Sequence, residues 1–148
     1  FEAFLRRYFP DWDNFPADAQ LAICSMAWAC GPGFPAIFTN FTRFANEHNW
    51  ILAKACAKIR EDNNPGIVPR NQHNRLCFDN AAIVERYGLD LEQLYWPDNV
   101  RLEDPPEPEF PEDFVPQPEL IPLPLPDDWH ASLEAMRKQD NLDMYDRF

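Results

Sequence analysis

Two groups of residues in this chain are of types that could do chemistry: a few carboxylates, and a run of hydrogen-bonding side chains at 65–75. General-acid chemistry such as hydrolysis of a glycosidic bond needs two carboxyl groups, one kept protonated by a dry surrounding. Glu47, Glu85 and Glu92 fall on polar helix faces or helix ends, and Glu2 lies on the polar side of an apolar stripe. None has the apolar company that holds a proton, so no catalytic residue is assigned. His73 and Cys77 are i, i+4 on one expected helix and could meet as a nucleophile pair. Cys77 sits beside Leu76 and Phe78, however, which points to core packing. The run Pro65-Gly66-Ile67-Val68-Pro69-Arg70-Asn71-Gln72-His73-Asn74-Arg75 crowds polar groups around a loop and a helix start. Such groups suit hydrogen bonding to sugar hydroxyls and amides. They equally suit a capped, solvated helix start.

The elements that position these residues read as helices. Phe1, Phe4, Leu5, Tyr8 and Phe9 form an i, i+3, i+4, i+7, i+8 stripe with no cap ahead of it, which predicts a helix continuing from an upstream segment. A turn follows at 10–14. Pro16 suits the first turn of a central helix over about 16–30, and Gly31 suits its end. That helix is almost wholly apolar, which predicts burial on every side. Next come a helix over about 36–47, with Ile37, Phe38, Phe41 and Phe44 on one side, and another over about 50–60. In the latter Trp50, Ile51, Ala55, Cys56 and Ile59 face inward. Pro69 opens a helix ending near Gly88, with Leu76, Cys77, Ala81, Val84 and Tyr87 inside. Leu89 to Tyr95 adds a turn or short helix, stopped by Pro97. No stretch alternates with period two, so the fold is expected to be all-α.

Charge is unevenly spread over the 148 residues, whose net charge is -12. Residues 98–128 hold ten acids and one base, whereas residues 1–97 hold eleven acids and nine bases. Nine of the sixteen prolines lie between 105 and 126. Proline there favours an extended path. The same segment keeps Phe110, Phe114, Val115, Leu120, Ile121, Leu123 and Leu125, more apolar residues than a disordered linker carries. It is therefore expected to lie across the helical part with these side chains in grooves. Asp127 and Asp128 then cap a last helix over about 129–146, with Trp129, Leu133, Met136 and Tyr145 as contacts. The absence of a basic stripe argues against nucleic-acid binding, and no apolar run is long enough for a membrane span. The sequence carries no pattern of a signal peptide, so none is expected within it. The four cysteines, Cys24, Cys30, Cys56 and Cys77, fall within apolar patterns and read as buried thiols. With no CxxC and scattered histidines, no metal site is expected and no cofactor is implied.

Four features in order resemble one family. The central helix ends Trp28-Ala29-Cys30-Gly31, and Phe38-Thr39-Asn40 starts the next helix. Trp50 heads an Ala-rich helix, and Gly66-Ile67-Val68-Pro69-Arg70 precedes a helix leading to Phe78. Residues 16–87 thereby resemble the C-terminal helical lobe of phage-type lysozymes, the muramidases also found as lysozyme-like domains of bacterial toxins. The resemblance implies a lysozyme-like helical lobe over 1–97, to which composition adds an acidic Pro-rich extended segment over 98–128 and a C-terminal helix over 129–148. It places Trp28 near a bound N-acetyl sugar and Arg70 facing the glycan or its peptide stem, with Gln72 as a further substrate contact. Ala29 stands where the family often has glutamine, and Asn71 and Asn74 replace its usual second arginine and a glutamate. The family's catalytic glutamate and its partner lie on an N-terminal lobe that precedes the region matched here.

The implied partners are peptidoglycan glycan strands and the remainder of a parent protein bearing the catalytic lobe. The acidic extension suits a secretion carrier or an immunity protein better than the anionic cell wall. A type VI secretion effector, secreted or delivered to the periplasm of a target bacterium, is the expected setting. The alternatives are a non-catalytic glycan-binding module and a protein-interaction module that uses the Pro-rich segment.

Overall fold

In the computed structural model, which describes residues 2–62, 64–100 and 107–116, the chain is helical and has no strand among the described residues. The elements are α1 (Glu2–Leu5), a 3-10 turn (Trp12–Asn14), α2 (Ala17–Cys30), α3 (Phe34–Ile37), α4 (Thr39–Asn46), α5 (Trp50–Ala55) and α6 (Ile67–Arg86). None of these helices is long and apolar enough to cross a membrane. The helix expected over 129–146, its Asp127 and Asp128 caps, and the apolar residues 120–125 lie outside the described residues.

α2 and α6 form the central pair, with α5 against α6 and α4 against α5. Pro16 precedes α2 at φ -55°, and Gly31 closes it at φ 90°, ψ 151°, a region essentially open to glycine alone. The Gly31 N–H donates to the Ala27 carbonyl at 2.8 Å, ending the helix cleanly. Ala19, Ala22 and Ala27 have no exposed surface, so α6 can approach α2 closely. Around this pair Phe9, Phe15, Phe34, Phe41, Phe44, Trp50 and Phe78 form an aromatic core. The Trp50 and Phe78 rings lie parallel at 6.1 Å, while Phe15 meets Trp50 edge-on at 4.8 Å. Offset and edge-to-face pairs of this kind add to the benefit of burial.

Several expectations are corrected. α2 is not buried all round: Leu21 and Trp28 lie opposite its inner residues, and Trp28 is 50% exposed. The helix expected over 36–47 is two helices, broken at Phe38 (φ -95°, ψ 68°). Thr42 Oγ1 ties the break together by donating to the carbonyls of Pro35 at 2.8 Å and Phe38 at 2.9 Å. Ile37 consequently turns outward and is 72% exposed. α5 stops at Ala55, five residues short, and Ala55 is exposed while Leu52 and Ala53 are buried. Ile59 is still buried, but as extended chain held by Asn71, whose Oδ1 accepts from Ile59 N–H and whose Nδ2 donates to Ile59 C=O. α6 begins two residues before Pro69, which then falls in the first turn, where a missing N–H costs nothing. Tyr87, expected inside, is exposed. All four thiols are free, but only Cys77 is buried; Cys24, Cys30 and Cys56 are half-buried.

Beyond α6 the chain turns back along it and is pinned by one buried carboxylate. Asp18, in the first turn of α2, has no exposed surface. Its oxygens accept from Tyr95 N–H (2.8 Å), Trp96 N–H (3.0 Å) and Asn80 Nδ2 (2.9 Å). Asn80 of α6 extends the network, donating to Asp98 C=O and accepting from Val100 N–H. Further along, residues 107–116 lie against α4, where Phe114 stacks on Phe44. Val115, expected in a groove, is instead 73% exposed.

Replacing Asp18 with Ala leaves the part-buried Tyr95 and Trp96 N–H groups without their acceptor and removes one acceptor of the Asn80 amide. The expected loss in urea unfolding is about 3 kcal/mol. Protease cleavage within 89–100 is expected to rise in the same variant, because that segment loses its anchor.

Candidate functional site

The outer face of α2 carries Leu21, Ser25 and Trp28 at i, i+4 and i+7, one side of the helix. Leu21 and Trp28 are large apolar side chains left exposed there. Arg70, in the first turn of α6, reaches across to this helix. Its Nη1 donates to the Ser25 hydroxyl at 2.9 Å and to the Ser25 carbonyl at 3.1 Å. The guanidinium is thus fixed one helical turn from the Trp28 ring. Its charge also reaches Cys30, where burial nonetheless dominates and pushes the thiol up to about 11.

Of the three residues expected at a binding site, Arg70 is bonded to Ser25, three positions before Trp28 on α2. Gln72 is exposed and lies two positions beyond Arg70, about 200° round the helix, so it points away. The exposed polar residue on Arg70's own side is His73, at i+3. The His73 ring meets the edge of Trp96 at 5.5 Å. An indole, an anchored guanidinium and an imidazole are groups that can stack on a sugar ring and bond its hydroxyls.

The described carboxylate whose charge reaches this side of α2 is Glu2, which adds to the burial that raises the Cys24 thiol and accepts from Arg6 at 3.0 Å and Trp12 Nε1 at 3.3 Å. The fully buried one, Asp18, is filled by the three N–H donors that pin residues 95 and 96 and Asn80. His73 and Cys77 form no pair: His73 turns to Trp96, and burial pushes the Cys77 thiol up to about 12, far from the thiolate a nucleophile requires. Asn71 and Asn74 are buried, and Asn71 is occupied by Ile59 and by Glu61 at 3.0 Å. Both nevertheless line a small pocket with Lys54, Ala57, Lys58 and Arg75, and the Asn74 amide nitrogen is buried with no hydrogen-bond partner among the described residues.

A second constellation was not legible in the sequence. His48 bridges two carboxylates, with Nδ1 2.6 Å from Glu85 Oε1 and Nε2 2.7 Å from Asp11 Oδ2. Each partner is 37 residues away in the chain, so no local spacing announces it. The turn between α4 and α5 makes it possible by holding His48 at φ 57°, a left-handed conformation. The ring also packs edge-on against Phe15 at 5.0 Å. Partial burial opposes the imidazolium more than any other single influence, but the Glu85 and Asp11 hydrogen bonds together outweigh it and raise the pKa above 6.5. Asp11 is lowered below 3.8, chiefly by the Asn14 hydrogen bond and then by His48. Both ring nitrogens are engaged, so this is a clamp joining the 3-10 turn, the α4–α5 turn and the end of α6.

Comparison with protein-family models, with curated proteins and with solved structures finds no match to this chain.

The clamp has a definite pH signature. The raised His48 pKa means its contribution is complete below about 6.5 and disappears as pH climbs through the folded value. The lowered Asp11 pKa means its contribution is lost only as pH falls through a value below 3.8. Asparagine tolerates a left-handed backbone, so His48→Asn removes the charge without forcing the turn. Thermal unfolding between pH 6 and 9 is expected to show wild type well above His48→Asn at pH 6, with the gap closing as pH rises.

Proposed function

We propose that this chain is the C-terminal lobe of a peptidoglycan muramidase. Its parent hydrolyses the bond between N-acetylmuramic acid and N-acetylglucosamine, with the catalytic glutamate carried on a separate lobe. This lobe supplies a sugar-binding wall. The observation that supports the reading is the half-exposed Trp28 on an otherwise core-forming helix, one turn from an arginine anchored on that same helix. A half-exposed indole offers an amphipathic face on which a sugar ring can stack. The four ordered sequence features shared with phage-type lysozymes give the platform its substrate class. The proposed setting is an antibacterial effector, such as one carried by a type VI secretion system, acting in the periplasm of the target cell. Its partners there are the glycan strand, the rest of the parent protein, and a carrier or immunity protein.

Alternating N-acetylglucosamine–N-acetylmuramic acid oligomers are expected to bind saturably, with the Trp28 indole N–H resonance moving on titration. Trp28→Ala is expected to weaken binding at least tenfold, a loss of about 1.4 kcal/mol. Gln72→Ala is expected to leave it unchanged, because Gln72 lies round the helix from Arg70. Absence of saturable binding, or equal affinity in Trp28→Ala, excludes the proposed wall.

A further inference from the structure

A small recess lies where the end of α5 meets α6. Lys54 of α5, with Ala57 and Lys58 just beyond that helix, forms one wall, and Asn71, Asn74 and Arg75 of α6 form the other. Its volume is about 10 Å³, room for a single water-sized atom. Asn74 is only 3% exposed, and its Nδ2 is buried with no hydrogen-bond partner among the described residues. The adjacent Asn71 shows the filled case: its Nδ2 donates to Ile59 C=O at 2.7 Å and to Glu61 Oε1 at 3.0 Å. Buried donors in folded proteins are nearly always satisfied, because a bare one costs stability. The Asn74 amide therefore calls for an acceptor that comes from outside the described residues.

The walls say what kind of acceptor it is. Three of the six lining residues are cationic and none is a carboxylate. Lys54 is held in place by Asp79 of α6, with Nζ 2.7 Å from Oδ1. Lys58 and Arg75 are exposed, so their charged ends stand at the rim. Two carboxylates bond to lining residues, Asp79 to Lys54 and Glu61 to Asn71, but neither lines the recess itself. We propose that this recess is a binding site for a phosphate group. One phosphate oxygen takes the water-sized space and accepts from the Asn74 amide. The remaining oxygens are left to the Lys58 ammonium and the Arg75 guanidinium, whose fork suits phosphate. A neutral water satisfies the amide but gains little from the surrounding charge, whereas an oxyanion engages both. The group is either free phosphate or the end of a small phosphomonoester; the recess reads the oxyanion that the two share. No residue of the Trp28–Arg70 surface takes part, so this inference is independent of the muramidase reading.

The test follows the Asn74 side-chain amide resonance of the full, isotope-labelled chain while inorganic phosphate is added at constant ionic strength. The resonance is expected to move saturably, with half-saturation on the order of a millimolar. Arg75→Gln and Lys58→Gln, both at exposed positions, are each expected to weaken phosphate binding at least fivefold. Asn74→Leu removes the donor at similar volume and is expected to abolish binding; should that variant not fold, the two exposed variants carry the test. Acetate is expected to bind at least tenfold more weakly than phosphate. Phenyl phosphate separates the two sources. Affinity equal to or above that of inorganic phosphate assigns the site to a phosphomonoester, and lower affinity assigns it to free phosphate. The inference is overturned if neither compound moves the Asn74 resonance saturably, which leaves water as the occupant. It is equally overturned if both charge variants bind phosphate as wild type does, or if acetate binds as tightly.

Discussion

A carboxylate with no access to water is stable only when its oxygens are filled with hydrogen bonds, and Asp18 is the place where this fold meets that demand. Two of its three donors are backbone N–H groups of Tyr95 and Trp96, far along the chain from α2. The third, Asn80, projects from α6 and itself grips Asp98 and Val100. One charge thereby fixes three things at once: the start of α2, the middle of α6, and the path of the chain after α6. Ala17 N–H bonding to the Leu91 carbonyl at 2.8 Å closes the same corner from the backbone. Trp96 is carried by this anchoring onto the core, and its ring in turn flanks His73. The surface that displays Arg70 and His73 thus depends on a buried acid that touches neither.

The aromatic core imposes a complementary constraint. Helices as short as α3, α4 and α5 are not stable by themselves in water; packing of an apolar face makes them persist. Phe34, Phe41, Phe44, Trp50 and Phe78 supply that face, and small residues on α2 let α6 close over it. The His48 clamp ties the periphery, linking the entry of the chain to the far end of α6 through two charged hydrogen bonds. Arg70 acts similarly at the opposite end of α6, tying its first turn to Ser25. Both ends of α6 are thereby fastened, the first turn directly to α2.

What the sequence disclosed and what it concealed divide along the range of the interactions. Pro16 and Gly31 bracket α2 because a missing N–H and a positive φ are properties of single residues. The all-α class follows from helical spacing of apolar residues, a signal confined to a few turns. The break at Phe38 was hidden because a helix through Ile37, Phe38 and Phe41 satisfies periodicity as well as the two shorter helices do; the bonds of Thr42 to Pro35 and Phe38 decide between them. Asp18 was hidden for a different reason. An acid in the first turn reads as a favourable partner of the helix dipole, and its donors lie more than 60 residues away. The exposure of Trp28 was hidden because an almost wholly apolar helix predicts burial on every side, and the bond from Arg70 to Ser25 was hidden because the two lie 45 residues apart.

The helical part is nearly neutral, so individual cations decide where an acidic segment can settle. Arg43 already meets Glu47 along its own helix at 3.3 Å, which positions the guanidinium while leaving its fork to Asp113. Arg70 is instead held by a neutral serine, with no carboxylate among its hydrogen-bond partners. An arginine paired with an acid presents a largely cancelled charge, whereas one anchored by a hydroxyl and a carbonyl keeps its field. Arg43 thus receives Asp113 of the same chain beside its own Glu47, and Arg70 fastens the first turn of α6 to the Ser25 hydroxyl and carbonyl of α2.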